Sequence, residues 1–327
     1  MRFDAVLVLS FGGPERPEDV LPFLQNVVAG RDVPPARLEQ VAAQYMRMGG
    51  RSPINDQNRA LVAALGDALG RPVYWGNRNW EPYVEDVVAA MAADGVESAA
   101  VFVTSAYSSY SGCGQYLEDL ARAARAAGAA APRMVKLRPF FDHPGFVGPL
   151  AEGLVAADPG GAPVLMTAHS IPLSMARRCD YEAQLATTVS LVAGAAGVDP
   201  ARCTLVYQSR SGPPSQPWLG PDIVEALPED VPEVVVVPVG FVSDHMEVVH
   251  DLDVVAAEAA AARGLRLVRT PTPGTHPRFV QMVGELVDEL ESGSPPWPVP
   301  CRPGCCDLTL VPPDSGRPAP DAGAGLA

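Results

Sequence analysis

Two Rossmann-like, doubly wound α/β lobes, each with a four-stranded parallel sheet, are the architecture this sequence predicts, and three observations predict it. Short apolar runs recur, at residues 5–9, 73–76, 98–103 and 133–137, then at 164–168, 204–208, 234–237 and 265–269. The four valines of 234–237 are the clearest case, because a strand buried on both faces reads as continuous apolar text. Segments of helical periodicity separate the runs. Several runs also end abruptly in glycine, hydroxyl or ionisable residues, and open α/β sheets bind ligands beyond the carboxyl ends of their strands.

The first run ends in Ser10-Phe11-Gly12-Gly13-Pro14. Neither a full Gly-x-Gly-x-x-Gly nor a Walker lysine follows, so the two glycines read as clearance for a bulky ligand or as a tight turn. Helices at 17–28 and 35–46 lead into Tyr45-Met46-Arg47-Met48-Gly49-Gly50-Arg51-Ser52, where Gly49 and Gly50 suit a helix C-terminus. A helix at 55–69, the second strand and a helix at 84–94 come next. After the third strand a loop rich in hydroxyls and aromatics carries Tyr107, Tyr110, Cys113 and Tyr116. Its tyrosines could line a flat apolar slot with polar tips, and Ser111 could cap a helix there. Helices at 144–157, 181–196, 221–227, 251–263 and 277–291 complete the second set.

Two strand ends carry the chemistry. One run ends in Ala168-His169-Ser170-Ile171-Pro172; another leads through Pro238 and Gly240 into Ser243-Asp244-His245-Met246-Glu247-Val248-Val249-His250-Asp251. A lone histidine near apolar residues is usually structural, and Asp244 with Glu247 three residues on also reads as a helix start. Yet a histidine and a glutamate at two strand ends of one sheet can share a cleft, as a general base with an acidic proton acceptor or as a pair of metal ligands. A single cleft between the lobes is the expected site.

Composition narrows the classes. The formal charge of -14 argues against non-specific nucleic-acid binding and against anionic membrane surfaces. One lysine stands against 23 arginines, which reads as a compositional bias of the coding sequence. No stretch reaches the ~18 apolar residues of a membrane span, and the chain enters a strand directly, so a cytoplasmic location is expected. The domain reading is 1–145 and 146–292 for the lobes, a Cys-bearing segment at 293–311 and a low-complexity, disordered tail at 312–327. Cys301, Cys305 and Cys306 fall within six residues and leave a four-ligand metal site one short; Cys113 is the best fourth candidate. Zinc fits the same four thiolates. Cys179 and Cys203 read as packing residues.

Five ordered blocks resemble the ferrochelatases. They are Leu9-Ser10-Phe11-Gly12-Gly13-Pro14, Gly49-Gly50-Arg51-Ser52-Pro53-Ile54, Thr167-Ala168-His169-Ser170-Ile171-Pro172, Tyr207-Gln208-Ser209-Arg210-Ser211-Gly212 with Pro217-Trp218-Leu219, and residues 238–247. The resemblance implies insertion of Fe(II), a substrate, into a porphyrin held in the cleft. It makes His169 the metal-site and proton-accepting histidine and Glu247 its paired carboxylate. It places Ser52 and Tyr116 against the porphyrin, with Phe11, Tyr45, Arg51 and Tyr107 as further contacts. Phe11 stands where some members carry a tyrosine that can ligate product iron. Asp251 and Asp253 match an acidic ladder behind Glu247, in which Val255 is a gap.

Cys113 with Cys301, Cys305 and Cys306 resembles the subgroup that carries a [2Fe-2S] cluster, and the actinobacterial character implies coproporphyrin III as substrate. Protoporphyrin IX, a cobalt or other-metal tetrapyrrole chelatase, and a porphyrin or haem carrier without turnover are the alternatives. A monomer is the default expectation, with transient contact to neighbouring haem-pathway enzymes and no nucleic-acid partner.

Overall fold

A computed structural model describes residues 2–30, 33–157, 160–212 and 215–293. The chain divides into two compact units. Among the described residues, one takes those up to 104, 110–138 and 283–293; the other takes 105–109 and 139–282. The division is therefore not a single cut near residue 145.

In the first unit β1 (Ala5–Ser10), β2 (Val73–Asn77), β3 (Ser98–Val103) and β4 (Arg133–Lys136) form a parallel sheet in the order β2-β1-β3-β4. β1 is buried along its whole length, as its unbroken apolar text requires. Its odd-numbered residues Leu7 and Leu9 pack with Val101, Val88, Met91 and Leu120. The helices Val84–Ala93 and Gln115–Ala127 supply the last three.

The second unit repeats the plan. β5 (Val164–His169), β6 (Cys203–Gln208), β7 (Glu233–Val237) and β8 (Arg266–Arg269) run parallel in the order β6-β5-β7-β8. Val234 and Val236 face a core of Val206, Phe241, Val248 and Leu252. β5 and β6 pair in register, so that His169 lies beside Gln208 at the carboxyl end of the sheet.

Three local expectations are corrected. Residues 221–227 do not form a helix. The amide of Tyr207 donates to the Pro221 carbonyl at 2.9 Å, and the amide of Ile223 donates to the Tyr207 carbonyl at 2.8 Å. That backbone is satisfied by the end of β6, which removes the incentive to coil. Ser111 is not the N-cap of Gln115–Ala127; it lies inside a π-helical turn, Tyr110–Gly114, and Gly114 holds the cap position. Asp244 is not an N-cap either. The helix begins at Met246 after His245, as Met246–Val248, and passes through a π-helical stretch, Val249–Ala256, into Ala257–Ala262. No helix among the described residues is long and apolar enough to cross a membrane.

Candidate active site

Backbone geometry brings Glu247 to His169. Beyond β7 the chain turns tightly, with the amide of Val239 donating to the Val237 carbonyl at 2.8 Å, and it then crosses the end of β5. There the amide of Gly240 donates to the Thr167 carbonyl at 2.9 Å. A Cβ at Gly240 would lie 2.6 Å from the Cα of Ala168, so only glycine allows this crossing. The following loop buries Phe241, whose ring meets His245 edge-on at 5.3 Å, and it delivers Glu247 at the start of the helix.

The His169 ring is fixed from both sides. Its Nδ1 lies 2.5 Å from the Ser170 carbonyl. A carbonyl only accepts, so Nδ1 carries the hydrogen and Nε2 of the neutral ring is a lone pair. Nε2 stands 3.4 Å from Oε2 of Glu247. Two acceptors facing each other call for a proton or a cation between them. Burial disfavours the charged imidazole, but the hydrogen bond and charge of Glu247 outweigh it and raise the His169 pKa. Burial likewise opposes the Glu247 carboxylate, yet His169, then His245 and His250, bring its pKa down to about 2. Both side chains keep solvent access, at 33% and 48% exposure.

A third histidine joins them. His245 is held below its ordinary pKa by burial, against the pull of the Glu247 charge and with the His169 charge pushing the same way as burial. One helical turn beyond Glu247, Asp251 accepts from the Ser209 hydroxyl on one oxygen and faces His250 Nδ1 at 3.0 Å on the other. Ser209 adopts a left-handed conformation, φ +61°, unusual for a residue with a side chain, and this aims its hydroxyl at Asp251. Sequence reasoning assigned His245, Ser209 and His250 no part here; the dense ionisable text around Glu247 was the available signal. Asp253, expected in the acidic ladder, has both oxygens taken by Arg269.

Tyr107 is a correction. It is only 2% exposed, stacks against Phe141 at 6.3 Å and donates its hydroxyl to the Val239 carbonyl at 2.7 Å. It braces the turn that carries Glu247 instead of lining a slot. Tyr181 does the same for β5, donating to the His169 carbonyl at 3.0 Å.

In the first unit, Phe11 is 38% exposed and packs edge-on against Phe23, which also meets Tyr45 at 6.0 Å. The glycines beside Phe11 clear room for neighbouring chain, not for a ligand. Cβ atoms at Gly12 and Gly13 would lie 2.9 Å from Asn77 and 2.8 Å from Ser52 and Ile54. Ser52 is buried there, its amide donating to the Pro14 carbonyl at 2.8 Å. Arg51 is exposed and paired with Asp56. Tyr116 is buried beneath the Arg78 guanidinium, 5.0 Å above its ring, and burial pushes its hydroxyl up to about 12. Arg78 is itself held by Asp119 at 3.0 Å and by Gln115 at 2.9 Å. Cys113 is buried in the π-helical turn, and Cys179 is buried too. Cys301, Cys305 and Cys306 lie outside the described residues.

An imidazole facing a carboxylate at the ends of parallel strands is an arrangement that can accept a proton or contact a divalent cation. The fold is that of the chelatases. A structure of SirB from Bacillus subtilis with Fe3+ aligns with a TM-score of 0.57 over 89% of this chain and 98% of its own, at 14% identity. The sirohydrochlorin chelatase SirB from Bacillus subtilis subspecies spizizenii, in complex with cobalt, aligns at 0.56 over 90% and 97%, at 15% identity. The chain belongs to the ferrochelatase family, whose model, described as Ferrochelatase, matches residues 3–291. A coproporphyrin III ferrochelatase of Mycobacterium ulcerans (strain Agy99) is 52% identical over 332 residues, covering 94% of this chain and 97% of the relative. Another of that name, from Frankia alni, is 54% identical over 338 residues, covering 93% and 86%.

Proposed function

We propose that this protein is a coproporphyrin III ferrochelatase, inserting Fe(II) into coproporphyrin III with release of two protons in haem biosynthesis. The observation that carries the reading is the His169 Nε2 lone pair aimed at Glu247 across 3.4 Å. Relatives named for that substrate support the choice of porphyrin.

Each pyrrole N–H that gives way to iron releases one proton. The neutral His169 takes the first on Nε2, and the imidazolium is stabilised by the Glu247 charge beside it. Glu247, held near 2, stores a proton poorly and passes the second one on. Imidazole and carboxylate together suit Fe(II) in transit, since neither is soft enough to trap it. Ser52, Tyr116, Tyr45, Arg51 and Phe11 are proposed porphyrin contacts. Phe11 offers product iron no oxygen ligand. The cytoplasm is the proposed location, in keeping with the acidic composition.

Cys113, Cys301, Cys305 and Cys306 are proposed to hold a [2Fe-2S] cluster. The donor set fits: four cysteines can supply four thiolates, although a buried thiol such as Cys113 needs the metal to draw off its proton. Bound, the cluster would supply one-electron chemistry, for which a redox-neutral insertion has no step. Its proposed contribution is to stabilise the segment that bears the three cysteines.

The test is anaerobic. Protein, Fe(II) and either coproporphyrin III or protoporphyrin IX are mixed and porphyrin absorbance is followed. Rapid loss of the coproporphyrin signal alone is expected. Equal turnover of both removes the substrate assignment, and binding without turnover of either sinks the ferrochelatase reading for this chain.

A further inference from the structure

The segment that carries Glu247 is gripped from outside by one side chain. Arg269, the last residue of β8, donates from Nε to Oδ1 of Asp253 at 2.5 Å and from Nη2 to Oδ2 at 2.9 Å. The same guanidinium reaches Asp244, from Nη1 to Oδ1 at 3.1 Å and from Nη2 to Oδ2 at 3.3 Å. Thr272 adds a hydroxyl donor to Oδ1 of Asp244 at 3.3 Å. Asp244 lies three residues before Glu247 and Asp253 six after it, so the two carboxylates bracket the loop, the helix start and most of the π-helical stretch.

Geometry explains why the grip matters. A planar fork that engages two carboxylates at once fixes direction as well as distance, which an ammonium cannot do. The π-helical stretch lacks the uniform i→i+4 ladder of an α-helix and needs a brace from its surroundings. The side chain is sheltered, at 18% exposure, so water competes weakly for its donors. Arg269 touches neither His169 nor Glu247; it acts on Glu247 through the backbone at both ends.

We infer that Arg269, through Asp244 and Asp253, is a positioning residue that sets the placement of Glu247 against His169 for handling Fe(II). The inference rests on the roles proposed above for His169 and Glu247, and it gives Asp253 a structural task in place of a rung in a metal ladder.

The full chain is assayed anaerobically with Fe(II) and coproporphyrin III, varying each substrate in turn, for Arg269→Gln, Arg269→Lys, Asp253→Asn, Asp244→Asn and Glu247→Gln. A misplacement of about 1 Å can lower rate ~100-fold. Arg269→Gln is expected to lose ~10–100-fold in kcat and to raise KM for Fe(II), with KM for coproporphyrin III unchanged. Arg269→Lys is expected not to rescue it, because a single ammonium does not span both carboxylates. A purely structural role would lower the active fraction and leave both KM values alone; that result, or wild-type kinetics, overturns the inference. If Arg269→Gln does not fold, the single aspartate variants decide: a raised KM for Fe(II) in either supports the clamp, and wild-type values in both refute it. Loss of activity in Glu247→Gln with normal Arg269 variants removes the clamp alone. Wild-type turnover in Glu247→Gln removes the proposed chemistry, and the purpose of the clamp with it.

Discussion

The two units share one strand order and put it to opposite uses. β1 and β5 hold corresponding places, flanked by β2 and β6 on one side and by β3 and β7 on the other. At the end of β5 stands His169, with Glu247 beyond β7. At the end of β1 stands Ser10, and one residue past β2 comes Arg78. Ionisable groups in the second unit are half-open and face each other across a gap that a proton or a metal can fill. In the first unit Arg78 and Asp119 are buried and already closed on each other, with Asp119 fully out of water. Topology supplies places for side chains, and the side chains decide whether a place stays open or is closed into a rivet.

The sharpest way to break the comparison is to strike each unit at its charged centre. His169→Ala is expected to lower insertion ~100- to 10,000-fold, the range of a general base, while the protein still folds and still binds porphyrin. Near-wild-type turnover would show the base assignment to be wrong. Arg78→Met is expected to do the reverse. Buried Asp119 then keeps only the half-exposed Arg122, 2.9 Å away, of its two guanidinium partners, which is expected to cost ~1–3 kcal/mol, read as a fall in denaturation midpoint. A midpoint within error of wild type would mean the pair is not buried in solution.

A subtler probe is pH. The His169 pKa is raised, so the ring stays protonated to a higher pH than an ordinary histidine and cannot accept a proton until that pKa is passed. The kcat/KM profile is expected to rise with pH through a limb above the ordinary value of about 6.5. In Glu247→Gln the charge that favours imidazolium is gone and burial dominates, so the limb moves to lower pH even as the rate falls. An unmoved limb would separate the two residues electrostatically.

Smaller effects sharpen the picture. Gly240→Ala inserts a Cβ against backbone at the crossing over β5 and is expected to destabilise by ~1–3 kcal/mol, with a loss of activity through His169. Arg51→Ala breaks only an exposed pair, so stability should stay within ~0.5 kcal/mol; a raised KM for coproporphyrin III would mark Arg51 as a porphyrin contact. Cys305→Ser should bleach the protein, and persistent colour would remove that residue from the cluster.

Much of this was legible in the text of the chain. Unbroken valines marked the strands, since burial on both faces leaves no alternation to misread, and His169 and Glu247, ionisable residues directly beyond such strands, do stand 3.4 Å apart. Tyr107 was misread because a hydroxyl-bearing aromatic in a loop looks the same in sequence whether its ring faces a ligand or the core. The helix expected at 221–227 failed because its pattern is short and the end of β6 claims its backbone. Arg269 was invisible for a different reason. Its partners lie 16 and 25 residues away, and nothing in the text of a strand's last residue says which loop it will hold.

The π-helical stretch Val249–Ala256 has a consequence for how this gene can change. Its wide turn amounts to extra residue in the helix. Deleting one position there would restore regular coiling and be welcomed by backbone energetics alone, yet it would swing everything on one side of the cut by about 100°. Glu247 and the carboxylate grip at Asp253 would then no longer fall on their marks. Geometry therefore constrains length in this segment more than spelling, so substitutions at an exposed position such as Val255 should be tolerated where single-codon deletions are not.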